Sequence, residues 1–496
     1  MGVIQRQGIK SSLLNYFSIF IGALSIVFVY PQALAAYGLI TFLTELAIFT
    51  SALAAWSLPT LMIKFFARFE DKNNNNNGFL AGAILANLLG FIIFAGLYVA
   101  LRGYILAFYA DKSDLEKSNI DYLLVFTFLL SWINLFNYYC ALFQRLVISA
   151  LADFLSKVAR PLLIILYLSG YLSVTEIIQG LVLAYTGIIL VLIMYIKRMG
   201  KLFLNLNFAH IDKKLGWEML RYSGGATLLI LFSTLGLQLD RITVSVYLDM
   251  QANGIYGMAQ FISNLIAIPL VTLGGIIAPI VVKHFGENKR AEIQDLYQKS
   301  TELLAMVGAY IGLGIILCID DLYQMTDNYS ALAGSVSVVI GLVIAKILDN
   351  LGGISRWILE FSDKYHWGIL FMGISVLINI SLSIMLIPKY GLLGVAGANF
   401  GAVGFYTLAR VGILYHFYQL WPLTLKIGYS LGLGIILYFV IDFINIQISP
   451  LWNILVKGAL LTLLYLPAGY YLRLSGEYCG LVELIFIKVF KKNLKR

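Results

Sequence analysis

Tyr37-Gly38-Leu39-Ile40-Thr41-Phe42-Leu43-Thr44-Glu45-Leu46 aligns without a gap on Tyr256-Gly257-Met258-Ala259-Gln260-Phe261-Ile262-Ser263-Asn264-Leu265, 219 residues further on. Both segments open a long apolar run with a Tyr-Gly pair. Downstream, Pro59 precedes Lys64-Phe65, and Pro279 precedes Lys283 and Phe285 with a one-residue slip. Repeats of this length indicate a duplicated structural unit. The matched runs point the same way, which predicts two lobes related by an axis along a membrane normal, with a transport path between them.

The surrounding composition requires the membrane. Of 496 residues, 60% are apolar and 12% charged, with mean hydropathy +0.85. Soluble domains carry roughly 25% charged residues, and a chain this apolar cannot cover itself in water. Disordered, collagen-like and disulfide-framework classes are excluded as well. Cys140, Cys318 and Cys479 are scattered, show no metal-ligand spacing and read as small buried side chains. The net charge of +9 lies at the ends of apolar runs, so it sets topology and does not form a nucleic-acid stripe.

Fourteen runs are long enough to cross a core about 30 Å thick. They fall near 9–30, 37–66, 79–101, 120–144, 151–171, 174–196, 222–248, 254–282, 301–319, 331–355, 366–387, 392–417, 427–447 and 452–472. Alternating the sides places 28 of the 35 Lys and Arg inside and six outside, with Lys346 left within a span. That bias predicts cytoplasmic termini. Arg6 and Lys10 followed by Ala33-Leu34-Ala35 imitate a signal peptide, but the run is too long and another span follows at once, so it reads as retained. The expected fold class is an all-α polytopic membrane protein of fourteen transmembrane helices, in two pseudo-symmetric six-helix lobes plus two C-terminal helices. Its expected parts are an N-lobe over 1–196, an inter-lobe loop over 197–221, a C-lobe over 222–418, two appended spans over 419–474 and a basic amphipathic tail over 475–496. The tail reads as a helix on the inner leaflet. Gly394, Gly397, Gly401 and Gly404 predict close backbone approach along span 12.

Polar residues within spans mark candidate cavity faces: Asn15 and Ser18 on span 1, Thr41 and Glu45 on span 2, Gln238 on span 7 and Asn264 on span 8. Such residues also serve helix packing. Charges inside spans are costlier, at least ~2.5 kcal/mol each. Arg145, Lys157, Arg160, Lys346, Arg356 and Arg410 are expected in the cytoplasmic half, outnumbering their acidic neighbours Asp153, Asp349 and Glu360. Such a surplus suits an anionic headgroup, and the guanidinium fork suits phosphate. Local pairing of Lys346 with Asp349 and of Arg356 with Glu360, or snorkelling of end charges, is the competing account. Arg410 has no carboxylate three or four residues away. Glu45 is the candidate for proton or sodium coupling in the N-lobe. His366 and His416 lie among aromatic residues typical of an interfacial belt, and no nucleotide, metalloprotease or dinucleotide motif occurs. The chain therefore reads as a non-enzyme without a bound cofactor, driven by an ion gradient, the membrane potential or its substrate's own gradient.

Leu386–Tyr415, LIPKYGLLGVAGANFGAVGFYTLARVGILY, resembles the span 11–12 junction of bacterial polysaccharide flippases of the Wzx type. Leu239–Phe261, LDRITVSVYLDMQANGIYGMAQF, resembles their span 7–8 junction. The resemblance implies the MOP superfamily, which also holds MATE exporters and lipid II flippases. It implies a V-shaped fold with spans 1, 2, 7 and 8 around a central cavity in the bacterial inner membrane. It further implies flipping of undecaprenyl-diphosphate-linked oligosaccharide for lipopolysaccharide or related surface polysaccharide, with glycosyltransferases and a polymerase as partners. Alternatives are an ion-coupled drug or metabolite antiporter of the MATE type and a lipid II flippase. The short outer loops disfavour a glycan polymerase or ligase. Span 1 lacks the acidic residue expected of the drug-exporter branch.

Overall fold

A computed structural model describes residues 3–71, 75–108, 114–205, 212–287, 289–443 and 449–493. Every regular element among them is helical. In hydrocarbon this is one of two ways a spanning backbone can satisfy all its N–H and C=O groups. The chain divides into two compact units, Met1–Gly254 and Ile255–Arg496. The first holds α1 (Val3–Phe28), α2 (Leu34–Ala54), α3 (Leu58–Phe69), α4 (Phe79–Phe108), α5 (Asp114–Asn119), α6 (Tyr122–Leu142), α7 (Leu146–Leu168), α8 (Val174–Arg198), α9 (Lys213–Tyr247) and the start of α10 (Met250–Asn264). The second holds the end of α10, α11 (Ile268–Gly286), α12 (Arg290–Gln324), α13 (Tyr329–Leu332), α14 (Val336–Leu351), α15 (Ser355–Glu360), α16 (Tyr365–Tyr390), α17 (Leu392–Tyr418), α18 (Leu425–Asp442), α19 (Pro450–Tyr471) and α20 (Gly476–Asn493).

Twelve helices among the described residues are long and apolar enough to cross a bilayer, and α9, bent by 54° near Gly236–Gln238, makes thirteen as one span. α7 has the length of a span but carries Asp153, Lys157 and Arg160. The set is compatible with fourteen. α20 gives the expected tail a helical backbone, while its side chains from Ile485 onward lie outside the described residues. Residues 206–211 of the 197–221 loop, and residues 72–74, also lie outside them.

The repeated segments fall on α2 and α10, where Tyr37 and Tyr256 are both buried. Their downstream prolines play different parts. Pro59 opens α3 after a break at Trp56 and Ser57, both with positive φ, whereas Pro279 lies inside α11 and Pro269 opens that helix. The proline match in the sequence is therefore not a structural equivalence.

α2 is the centre of the first unit, enclosed over 72% of its most apolar stretch. Small residues permit this. A Cβ on Gly38 would stand 1.8 Å from the Met250 carbonyl oxygen, and one on Gly254 would stand 2.2 Å from that of Leu34. Thr41 and Thr44 donate to carbonyls of their own helix, at 2.9 Å to Tyr37 and 2.8 Å to Ile40, so their hydroxyls are satisfied without a partner helix. Thr50 adds a 2.6 Å hydroxyl contact to Thr127 of α6.

α12 organises the second unit. Its two buried acids are each held by a cation from the appended helices: Glu302 by Lys426 at 3.1 Å and Asp321 by Lys457 at 2.6 Å. Thr424 donates to Glu302 and Asn453 to Asp321. Between these points Met306, Leu313, Leu317, Leu437, Leu461 and Tyr465 form an apolar core, and the Tyr465 hydroxyl donates to the Met306 carbonyl at 3.1 Å. Leu89, Ile92 and Leu97 on α4, and Leu377, Ile384 and Met385 on α16, stay exposed, as side chains facing lipid do.

The glycines of α17 are not equivalent. A Cβ on Gly394 would lie 2.5 Å from the Leu386 carbonyl, a backbone clash, whereas on Gly401 it would meet only Leu382 Cδ1 at 2.5 Å. Gly394→Ala should therefore cost roughly 1–3 kcal/mol of stability, and Gly401→Ala less because Leu382 can turn aside. Thermal unfolding in detergent measures the order, and equal loss in both variants would contradict the tight α16–α17 approach. Lys457→Ala strands buried Asp321 and should destabilise by about 3 kcal/mol or more, with Asp321→Asn in the same chain recovering most of it.

Candidate functional site

The first unit gathers a polar cluster around Arg160. Its guanidinium donates to the Tyr185 hydroxyl at 3.3 Å and lies within electrostatic reach of Tyr30, Tyr185 and Glu45. Tyr30 and Tyr37 stack with centroids 4.0 Å apart. Glu45, the candidate coupling carboxylate, stands 3.9 Å from Arg241 of α9 across a low-exposure gap. The sequence does not show Arg241 as the partner of Glu45, because the two are far apart in the chain. Ser18, Thr41 and Gln238 are buried in helix packing, whereas Asn15 and Asn264 are exposed. The expected polar faces thus divide between packing and open surface.

The second unit centres on Arg410. Its Nη2 donates to Asp349 Oδ1 at 2.6 Å and to Thr407 Oγ1 at 3.1 Å, and its guanidinium lies 4.4 Å from the Tyr406 ring centre. Thr407 also donates to Asp349, at 3.3 Å. Arg410 is 4% exposed. The expectation that it is uncompensated is corrected: its carboxylate comes from α14, 61 residues away in sequence, and was invisible to a search along α17. Asp349 is likewise not paired with Lys346 in the closest geometry, although Lys346 is within electrostatic reach.

Two further expectations need correction. On a continuous span 10 the sequence puts Lys346, Asp349, Gly353, Arg356 and Glu360 on one helical arc, but they do not share it, because α14 ends at Leu351 and Gly353 adopts φ +54°. A Cβ there would lie 2.0 Å from Thr301 Oγ1, so glycine is needed both for conformation and for space. Arg356 and Glu360 therefore sit on the separate helix α15. The cations also differ in position along their helices. Arg145 precedes α7, after a break at Gln144 with φ +58°, while Arg160 lies past the middle of α7 beside the end of α1. Fifteen residues of helix separate them by about 22 Å.

The six cations fall into two groups. Lys157 pairs with Asp153 at 2.7 Å on an exposed face, Arg160 is bonded to Tyr185, and Arg410 is locked to Asp349. Arg145 and Arg356 are exposed and Lys346 is half-buried, and none of these three has an ion-pair partner among the described residues. No group of three or more metal-ligating side chains occurs among the described residues.

Arg410→Ala leaves Asp349 without its counter-ion and should cost roughly 3 kcal/mol, the low end for a buried pair because Asp349 is partly exposed. Arg410→Met combined with Asp349→Leu should restore folded yield and thermal stability. A single variant as stable as wild type would show that the pair holds nothing together.

No protein-family model matches the chain, and no curated protein matches it. Solved structures do. The chain is similar to lipid II flippase MurJ in an inward closed conformation, with TM-score 0.71 and 15% identity over 98% of this chain and 100% of that one. It is also similar to an inward-facing multidrug resistance MATE family transporter of the MOP superfamily, at TM-score 0.61 and 13% identity over 87% and 96%. A Vibrio cholerae MATE transporter follows at 0.55 and 11%, over 83% and 98%. At these identities the likeness shows the fold alone: the chain shares the all-helical architecture of these solved structures.

Proposed function

We propose that the chain is a flippase moving polyprenyl-diphosphate-linked oligosaccharide repeat units from the inner to the outer leaflet of the bacterial inner membrane by alternating access, with both termini cytoplasmic. The observation that carries this reading is that three of the six candidate cations, Arg145, Lys346 and Arg356, have no ion-pair partner among the described residues. An unpaired charge among spanning helices is costly, and an anionic cargo repays that cost by forming charge-assisted hydrogen bonds. Arg145 and Arg356 sit beside helix breaks, where exposed guanidinium groups can reach a diphosphate. Arg410 acts differently, holding α14 to α17 so that Lys346 and Arg356 keep their places.

Likeness to a lipid II flippase over nearly the whole chain supports a lipid-linked cargo. The resemblance of Leu386–Tyr415 to Wzx-type flippases supports a polysaccharide repeat unit over lipid II. On this reading, glycosyltransferases supply the cargo and a polymerase consumes it. A proton or sodium gradient acts through Glu45, which stands 3.9 Å from Arg241.

Proteoliposomes carrying a fluorescent polyprenyl-diphosphate glycan test the proposal. Arg356→Ala and Arg145→Ala should each slow flipping about tenfold or more, the loss of one charged hydrogen bond, with folding intact. Arg356→Lys should recover only part, since lysine keeps charge and loses the fork. Wild-type flipping by both alanine variants, or transport of cationic drugs with no glycan flipping, would overturn it.

A further inference from the structure

On the second unit, α16 and α17 enclose an open groove of about 610 Å³. Ala409 and Gly412 form its floor, where a Cβ on Gly412 would meet nothing within 4 Å. Aromatic rings form its walls. Trp367 stacks on Phe371 at 5.9 Å, Phe371 meets Phe405 at 5.9 Å, and Trp367 meets Phe417 at 6.5 Å. These α17 residues recur at helical spacing on the face turned away from buried Arg410. Around the groove Leu370, Leu408 and Tyr415 are exposed, the last two by 69% and 51%.

A groove of this kind on a membrane-spanning surface cannot stay empty or hold water. Its lining is apolar apart from His416, so water would find few partners, and a void would forfeit the dispersion contacts of every ring around it. A hydrocarbon chain satisfies both conditions. One end of the groove adds a charge. Lys364 Nζ lies 4.9 Å from the Phe417 ring centre, and no carboxylate is within ion-pair distance of it among the described residues. Its sequence neighbours Asp363 and Glu360 are exposed and do not pair with it, and exposed His366 and His416 flank the same end. An ammonium over a ring gains cation–π attraction and keeps N–H donors for an anion. Tyr365, Trp367, Tyr415 and Trp421 give this end the aromatic character of a headgroup boundary.

We propose that this groove binds one acidic phospholipid, with an acyl chain between α16 and α17 and the phosphate on Lys364. A lipid with net negative charge suits the site better than a zwitterionic one, whose own cationic group would lie against Lys364. The site is independent of the transported cargo.

Native mass spectrometry of the full-length, delipidated protein titrated with phosphatidylglycerol or phosphatidylcholine tests this. Wild type should retain one phosphatidylglycerol in preference to phosphatidylcholine. Gly412→Trp fills the groove and should lose retention of both lipids at least tenfold. Lys364→Gln, at a half-buried and unpaired side chain, should erase the preference while keeping weak binding of both, and Lys389→Gln at the opposite end of α16 should change nothing. The half-buried Lys364 position, which has no ion-pair partner among the described residues, keeps the test decisive should Gly412→Trp fold poorly. Equal preference in wild type and Lys364→Gln, undiminished binding by folded Gly412→Trp, or no retained lipid in wild type would each overturn the proposal.

Discussion

Charge placed among apolar helices has to find a counter-charge or a reason to stay exposed, and the second unit is built around that constraint. Glu302 and Asp321 sit on one helix, α12, in positions where an unpaired carboxylate would cost several kcal/mol. Lys426 and Lys457 answer them from α18 and α19, so the same two pairs that neutralise α12 also fix the appended helices to it. The Asp349–Arg410 pair does the equivalent work between α14 and α17. Packing then supplies adhesion, with Met306, Leu313 and Tyr465 closing the space between the ionic points.

The constraint separates two kinds of cation that look alike in composition. Arg410, Lys426 and Lys457 are spent on structure. Arg145, Lys346 and Arg356 are not, and two of them border helix breaks where a positive-φ residue ends one helix before the next begins. A break of this sort frees a side chain from the packed face of a continuous helix. It also gives adjacent segments independent directions. Gly353 serves the break before α15 and Gln144 the one before α7, so Arg356 lies in the first turn of α15 and Arg145 just ahead of α7.

The shared fold of a lipid II flippase and of drug transporters at 11–15% identity follows from the same physics. Span length, charge bias at loop ends and small residues at close crossings can be met by very many sequences. What distinguishes the members is the handful of polar groups left after the helices have satisfied themselves. In this chain they include Arg145, Lys346 and Arg356, which have no ion-pair partner among the described residues, and Glu45, 3.9 Å from Arg241.

The all-helical membrane class was legible in the sequence, because apolar runs of bilayer length leave the backbone no other way to satisfy itself. The Tyr37 and Tyr256 repeat was legible for the same local reason: each tyrosine is buried within a helix and followed by the same short-range pattern of neighbours. Individual site residues were less so. A periodicity argument sees three- and four-residue spacings, so it weighed Lys346 with Asp349 and Arg356 with Glu360 and missed Arg410 with Asp349. It also assumed that a helix continues, and therefore drew Lys346 and Arg356 onto one face across a break that Gly353 requires. Which cations are neutralised, which threonines bond only to their own helix, and where an aromatic groove opens beside Gly412 depend on which helices become neighbours. Those neighbours are chosen by packing between segments far apart in the chain, and only the tertiary structure decides them.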